Sequence, residues 1–422
     1  MTAFEPTARA EWRRYWPLVL AACTGFSFMS LMNPALGVFM DPLAREFGWN
    51  RTQLSAGFAV SSMISILLSP VFGVLIDRFG TRRLALPGIV LTGAIIALYS
   101  QANGSFAQWI GLWIAWGLAS MLIQSALWST AVAGVFSKGR GLALGVTMSG
   151  TALAQVVAPP LSNWLIESLG WRGAFVSLGL GWGGIALIAA IFFLYDAYDI
   201  LGRQREASPA DASPPPVLPG LTVREAWRDW SLWRVAISSF LILTVTIAVV
   251  VHQFPILVEA GVSRDRAAWL VSLSGVAGVC GKLITGSLID RYHARWIGGI
   301  TLASTAIAYP LMIQGVGGPP LIVIGIMISG YAAGTKIQLC SYLTARYAGM
   351  RHYGTIFGAM TSFIALASAV GPLLAGLLHD RFGSYAPLLV GGVVVSLVSG
   401  GLIFSLGKYP DWEAAPPAAA TA

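Results

Sequence analysis

The sequence predicts an all-α polytopic membrane protein of twelve transmembrane helices, arranged as two repeated six-helix halves. Three observations predict it. The 422-residue chain is 56% hydrophobic and only 10% charged, where a soluble domain carries about a quarter charged residues. Its apolar residues gather into runs long enough to cross a bilayer. Short motifs also recur along the chain at one constant separation.

A mean hydropathy of +0.72 leaves no room for a large aqueous domain, and apolar surface on this scale needs lipid as its solvent. Cys23, Cys280 and Cys340 all fall inside apolar stretches. They read as small hydrophobes, not as a disulfide or metal set. The first apolar run, from about Tyr15, lacks a following cleavage-site pattern and is expected to remain as a helix.

A hydrocarbon core of roughly 30 Å needs about 20 apolar residues per helix. Twelve such runs are present: 15–40, 52–76, 83–101, 106–134, 141–166, 171–195, 233–258, 266–289, 296–315, 319–345, 353–378 and 384–407. With twelve spans, both termini and the loops after spans 2, 4, 6, 8 and 10 share one side. That side carries 18 of the 26 Lys and Arg residues; the other carries six and the remaining two lie inside spans. Positive charge stays in the cytoplasm. The expectation is therefore a multi-pass protein of the cytoplasmic membrane with both termini inside. The same distribution accounts for the net charge of +8 without nucleic acid.

One long polar stretch interrupts the pattern. Residues 197–230 contain Ser208-Pro209, Ser213 and Pro214-Pro215-Pro216, too little apolar surface to fold. The implied organisation is an N-terminal bundle at 1–196, a cytoplasmic linker at 197–232, a C-terminal bundle at 233–408 and a tail at 409–422. Within the linker's end, Arg224, Trp227 and Trp230 suit a short helix at the membrane surface.

The halves align at an offset of 213 residues. Gly73-Val-Leu-Ile-Asp77-Arg78 matches Gly286-Ser-Leu-Ile-Asp290-Arg291, Gly145 matches Gly358, and Val157-Ala158-Pro159 matches Val370-Gly371-Pro372. Glu167 likewise matches Asp380, and Gly170 matches Gly383. Such a repeat joins span 2 to span 8 and span 5 to span 11. Two similar bundles can rock against each other around a site at the bilayer midplane.

The run Gly73 to Arg83, with Arg78, Arg82 and Arg83, resembles the loop signature of the major facilitator superfamily; Gly286 to Arg295 is a less complete second copy. The resemblance covers nearly the whole chain and implies a secondary transporter. Gly73 permits close helix contact. Asp77 with its arginines, and Asp290 with Arg291, would form a charged network that locks the halves in one state. The alternative is that these charges serve orientation only.

Only four lysines occur, and two lie inside spans. Lys282 is eight residues before Asp290, roughly 12 Å from its helix end, and Lys336 is ten before Arg346, roughly 15 Å in. A charge at that depth costs at least about 2.5 kcal/mol on insertion scales and usually faces a cavity. Gly275, Gly278 and Thr285 share the face of Lys282. All 18 carboxylates fall in loops or at span ends, so the natural complement of the two lysines is an anionic substrate. The structural reading is a lysine bonded to backbone carbonyls. Asn33, Gln124, Trp128, His252 and Tyr331 are further candidates to touch substrate, or else bond helix to helix. The embedded acid that often carries protons is missing, so anion exchange competes with proton symport.

Three stretches resemble the monocarboxylate transporter and oxalate:formate antiporter group: Gly37 through Arg51, His252 through Ser263, and Leu273 through Lys282. In that group a cation of span 8 pairs with the substrate carboxylate, and Lys282 takes that place. Gly278 stands where monocarboxylate transporters tend to carry Asp, and Asn33-Pro34 stands in the region where they tend to carry a span-1 lysine. The expected function is alternating-access transport of an organic mono- or dicarboxylate, including aromatic acids, with a proton or counter-anion and lipid as further partners. Lys336 is the expected second cation. The rivals are an efflux transporter for hydrophobic compounds and a non-transporting membrane sensor. No enzyme, cofactor or metal site is expected, because no nucleophile–base set or ligand cluster appears.

Overall fold

The computed structural model describes residues 7–49, 51–196, 218–316 and 318–412, and its regular elements are helices. Span 1 is two helices, Ala8–Met29 and Met32–Phe47. Pro34 accounts for the break, because it has no N–H to bond the carbonyl of Ser30. Span 7 breaks for the same reason before Pro255, into Trp230–Val251 and Gln253–Glu259. Span 4 is Phe106–Met121 and Ser125–Val135. The freed carbonyl of Ile123 there accepts the Trp128 indole N–H at 2.8 Å.

Span 5 starts as Arg140–Met148 and resumes at Gly150. It ends at Gly170, whose φ of 71° is left-handed and suits glycine. Span 6 runs from there through a π-turn at Leu178–Trp182 into Gly183–Phe193. The other spans are continuous: Arg51–Phe79, Thr81–Leu98, Arg264–Arg291, Ala294–Leu311, Pro319–Ala348, Tyr353–Phe382 and Ala386–Phe404. Ten stretches are long and apolar enough to cross a membrane, and one of them, Arg140–Phe193, holds spans 5 and 6. Ala294–Leu311 falls outside those ten, yet it packs as span 9 against spans 10 and 12. The expected twelve helices are all present.

The 213-residue repeat extends to hydrogen bonds. Asp196 accepts from the backbone N–H of Thr81 at 2.8 Å, where span 3 begins. Its repeat mate Tyr409 accepts from Ala294 N–H at 2.8 Å, where span 9 begins. Glu46 accepts from the Trp171 indole at 2.6 Å and pairs with Arg172 at 2.7 Å, joining the far ends of spans 1 and 6. Its mate Glu259 accepts from Ser384 Oγ and Tyr385 N–H, joining spans 7 and 12. These bonds tie each half to itself, as rigid-body motion of the halves requires.

Of the linker, residues 218–232 are described; 197–217 lie outside the described residues, as do 413–422 of the tail. Leu221 N–H reaches Ala348 O at 2.8 Å and Met350 N–H reaches Pro219 O at 2.9 Å. Tyr409 stacks on His293 at 4.0 Å, and the Trp412 indole donates to Arg346 O. The linker thus docks on the loop between spans 10 and 11, and the tail on the loop between spans 8 and 9 and the last turn of span 10.

Small residues set the helix spacing. A Cβ on Gly25 would lie 2.2 Å from the Trp128 ring, which span 1 therefore admits only at a glycine. Gly25→Val is expected to destabilise the protein by roughly 1–3 kcal/mol through overpacking. Gly37→Val, where a Cβ meets nothing within 4 Å, should be neutral. Thermal unfolding midpoints of the two variants in detergent check this.

Candidate functional site between the two halves

Asp77 lies near the end of span 2, and its carboxylate crosses to the other half. Oδ1 accepts from Gly354 N–H at 2.7 Å; Oδ2 accepts from Thr355 N–H at 2.7 Å and Thr355 Oγ1 at 2.6 Å. Asp290, at the same place on span 8, accepts from Gly141 N–H at 2.6 Å and Leu142 N–H at 2.9 Å. Each carboxylate therefore occupies the first turn of a helix in the opposite half, span 11 or span 5. The first amides of a helix have no partner within it and carry partial positive charge, so an acceptor anion is favoured there.

Close backbone approach seals the same end. A Cβ on Gly73 would lie 2.3 Å from Gly354 O, and one on Gly141 would lie 2.4 Å from Gly286 O. Gln338 of span 10 adds a bond from Nε2 to Gly141 O at 2.8 Å. The seam is thus closed at the face that carries the described ends of the chain.

The arginines of the signature are placed differently from the expected charged network. Arg82 donates to Ile191 O at 2.7 Å within its own half. Arg78 lies over the ring of its neighbour Phe79, and Arg83 and Arg291 are exposed. The acceptors at the seam are Asp77, Asp290 and the Gly141 carbonyl, and the donors are backbone amides, the Thr355 hydroxyl and the Gln338 amide. Among the described residues the seam carries no ion pair.

Lys282 reaches the seam one level deeper. Its ammonium donates to Met148 O at 3.0 Å and Thr151 Oγ1 at 2.8 Å, both on span 5. Met148 ends the first helix of that span, where carbonyls carry partial negative charge, and its carbonyl also accepts from Thr151 Oγ1 at 2.9 Å. The ammonium has three donors, and two described acceptors reach it. Cys23 of span 1 lies within electrostatic range. Among the described residues no carboxylate pairs with this lysine. Beyond Thr151 the second helix of span 5 and span 8 are no longer close neighbours, and Val156 and Val276 are exposed.

The other candidates separate into groups. Tyr331 of span 10 shares a 2.8 Å hydrogen bond with Thr285, one turn along span 8 from Lys282. Gln124 and Trp128 lie at the break in span 4; Gln124 Nε2 donates to Ser69 O at 3.3 Å, and Trp128 is fully buried against span 1. His252 shares a 2.9 Å bond with Tyr385 near Glu259, at the far ends of spans 7 and 12. Asn33 starts the second helix of span 1, and its side chain lies outside the described residues.

Lys336 is not beside Lys282. Its ammonium donates to Thr246 Oγ1 of span 7, and it borders a cavity of about 10 Å³ lined by Ser239, Leu302, Cys340 and Ile403. Those residues belong to spans 7, 9, 10 and 12, so Lys336 points into the interior of the second half. Sequence reasoning missed Thr151 and the Met148 carbonyl as partners of Lys282. It also missed the pair Glu46 and Glu259, although their 213-residue separation was available. Past Met40, where the membrane-crossing stretch of span 1 ends, hydrogen bonding from Arg172 and then Trp171 holds the Glu46 carboxyl below its usual range.

Comparison with known proteins now decides the family. The Major Facilitator Superfamily model matches residues 18–260 and 245–420. The chain belongs to the major facilitator superfamily. It is a multi-pass membrane protein and a secondary transporter, not an enzyme. Monocarboxylate transporter 12 of Rattus norvegicus is 23% identical over 83% of this chain and 76% of its own length. Monocarboxylate transporter 13 of Bos taurus is 24% identical over 93% and 89%. Among solved structures, the human organic anion transporter MFSD10 superposes with a TM-score of 0.68 at 20% identity, covering 93% of this chain and 99% of that one. The E. coli fucose:proton symporter FucP gives 0.68 at 14% identity, covering 91% and 97%. These two superpositions show the shared fold.

The carboxylates at the seam make a direct expectation. A hydrogen bond to a charged group contributes about 1.5–3 kcal/mol. Asp77→Asn and Asp290→Asn should each shift the transporter toward opening at this face by about tenfold or more. Spin labels at Arg83 and Trp296, exposed positions on the two halves, should report longer distances in each variant by double electron–electron resonance. Arg291→Gln should leave the distances unchanged.

Proposed function

We propose that this transporter moves an organic carboxylate across the cytoplasmic membrane by alternating access, with Lys282 as the group that binds the carboxylate. The observation that carries the reading is the position of Lys282. It is the described cation inside a span that bridges the halves, it has donor capacity to spare, and no described carboxylate neutralises it. The similarity to proteins named monocarboxylate transporters supports the same substrate class.

The geometry gives a mechanism. With the terminal face closed, Lys282 is held by Met148 O and Thr151, and an acid arriving from the far side takes the remaining donor. Opening the terminal face pulls span 8 away from span 5, and the ammonium loses both span-5 acceptors. Leaving a buried charge without partners costs several kcal/mol. A bound carboxylate supplies the replacement acceptors and travels with Lys282. The loaded carrier therefore turns over faster than the empty one. Positive charge concentrated on the terminal side supports cytoplasmic termini, and Asp77 and Asp290 act as the latch of that face. Lys336 stabilises the second half from within and takes no part in binding.

Uptake of a labelled carboxylate panel into proteoliposomes tests this. Lys282→Gln should reduce saturable uptake of the transported acid by about thirtyfold or more, from loss of a buried charge pair. Unlabelled acid inside the vesicles should accelerate uptake by wild type. An imposed proton gradient run beside it separates symport from exchange. Normal transport by Lys282→Gln, or uptake of neutral amines in preference to acids by wild type, would contradict the reading.

A further inference from the structure

A groove of about 490 Å³ opens on the side of the molecule, between spans 2, 7 and 11 and the short surface helix Val223–Ala226. Its walls are apolar: Val71 and Val74 of span 2, Trp233 of span 7, Ala359 and Phe363 of span 11, and Trp227. Thr355, which donates to Asp77, lies in the same wall. One wall belongs to the first half and the others to the second.

Cations stand around its terminal end. Arg78 follows Val74 by four residues on the same ridge of span 2 and is exposed. Arg224 and Arg228 flank the lining residues Val223 and Trp227 and are exposed too. The nearby carboxylates are engaged: Glu225 closes a capping box with Thr222, and Asp229 caps span 7 at Leu232 N–H. Trp227 and Trp230 are 59% and 65% exposed, as indoles at a membrane interface are.

We propose that this groove binds one anionic phospholipid, with an acyl chain between spans 2, 7 and 11 and its phosphate at Arg78, Arg224 and Arg228. An apolar slot below a basic rim matches the two parts of such a lipid. The site exists only while spans 2 and 11 are together, because its walls come from both halves. By linkage, the lipid stabilises the state closed at the terminal face. This does not depend on the identity of the transported substrate.

The test uses full-length protein in nanodiscs of phosphatidylcholine doped with phosphatidylglycerol whose acyl chains are brominated. Bromine quenches nearby indoles, and subtracting the Trp227→Phe signal isolates the groove. Brominated phosphatidylglycerol should quench this component at a lower mole fraction than brominated phosphatidylcholine. Arg224→Gln/Arg228→Gln should raise the half-quenching fraction by about twenty-five-fold, given about fivefold per arginine, and inorganic phosphate should not relieve the quenching. Phosphatidylglycerol should also shorten the distance between labels at Arg83 and Trp296 in wild type but not in the double variant. Equal quenching by both lipids would reduce the groove to ordinary bilayer contact. Absence of quenching by either would assign it to another occupant, a hydrophobic solute or a second copy. Either result overturns the proposal.

Discussion

The closed seam is built around a carboxylate bound to the first amides of a helix in the opposite half, made twice by Asp77 and Asp290. This interaction needs no side-chain counter-ion. The amides at a helix start are unpaired by geometry and carry partial positive charge, so the partner is present whenever the helix is. It is also reversible. When the halves part, water can solvate both the carboxylate and the helix end, so opening leaves no buried charge stranded. Exposed arginine–carboxylate pairs would contribute less and be screened by salt. The close approach of Gly73 to Gly354 and of Gly141 to Gly286 is what brings each carboxylate within reach.

Lys282 lies eight residues along the same helix from Asp290, so the proposed site and the proposed latch are parts of one rod. Motion that releases Asp290 from Gly141 and Leu142 necessarily draws Lys282 from Met148 and Thr151. The repeat makes the asymmetry plain. The position matching Lys282 in the first half is Ser69, whose carbonyl accepts from Gln124. At this level the two-fold frame carries a charge at Lys282 and none at its mate Ser69, and the proposed carboxylate site rests on that asymmetry.

Much of this was legible in the sequence. The offset of 213 residues named Asp77 and Asp290 as equivalents, and hydropathy placed the spans to within a few residues. The partners of the two carboxylates were not legible, because all but the Thr355 hydroxyl are backbone amides and carry no residue signature. The pattern therefore pointed to Arg78, Arg82, Arg83 and Arg291 instead. The placement of Lys336 was not legible for another reason. Span 10 is apolar around much of its circumference, so helical periodicity could not tell the face toward the seam from the face toward spans 7, 9 and 12. Thr151 was hidden because the break at Ser149, which frees the Met148 carbonyl, involves no proline. The breaks in spans 1 and 7 do lie beside prolines, Pro34 and Pro255.

The central claim is an ammonium–carboxylate contact at Lys282. The chain has only four lysines, which makes that contact directly observable. The protein, labelled with 15N at lysine Nζ and loaded with the 13C-carboxyl form of its transported acid, would be examined by rotational-echo double-resonance solid-state NMR. The account predicts dephasing of one lysine signal by the carboxyl carbon, lost on addition of excess unlabelled acid and absent in Lys282→Arg. Dephasing that survives in Lys282→Arg, or none in wild type at saturating acid, would contradict it.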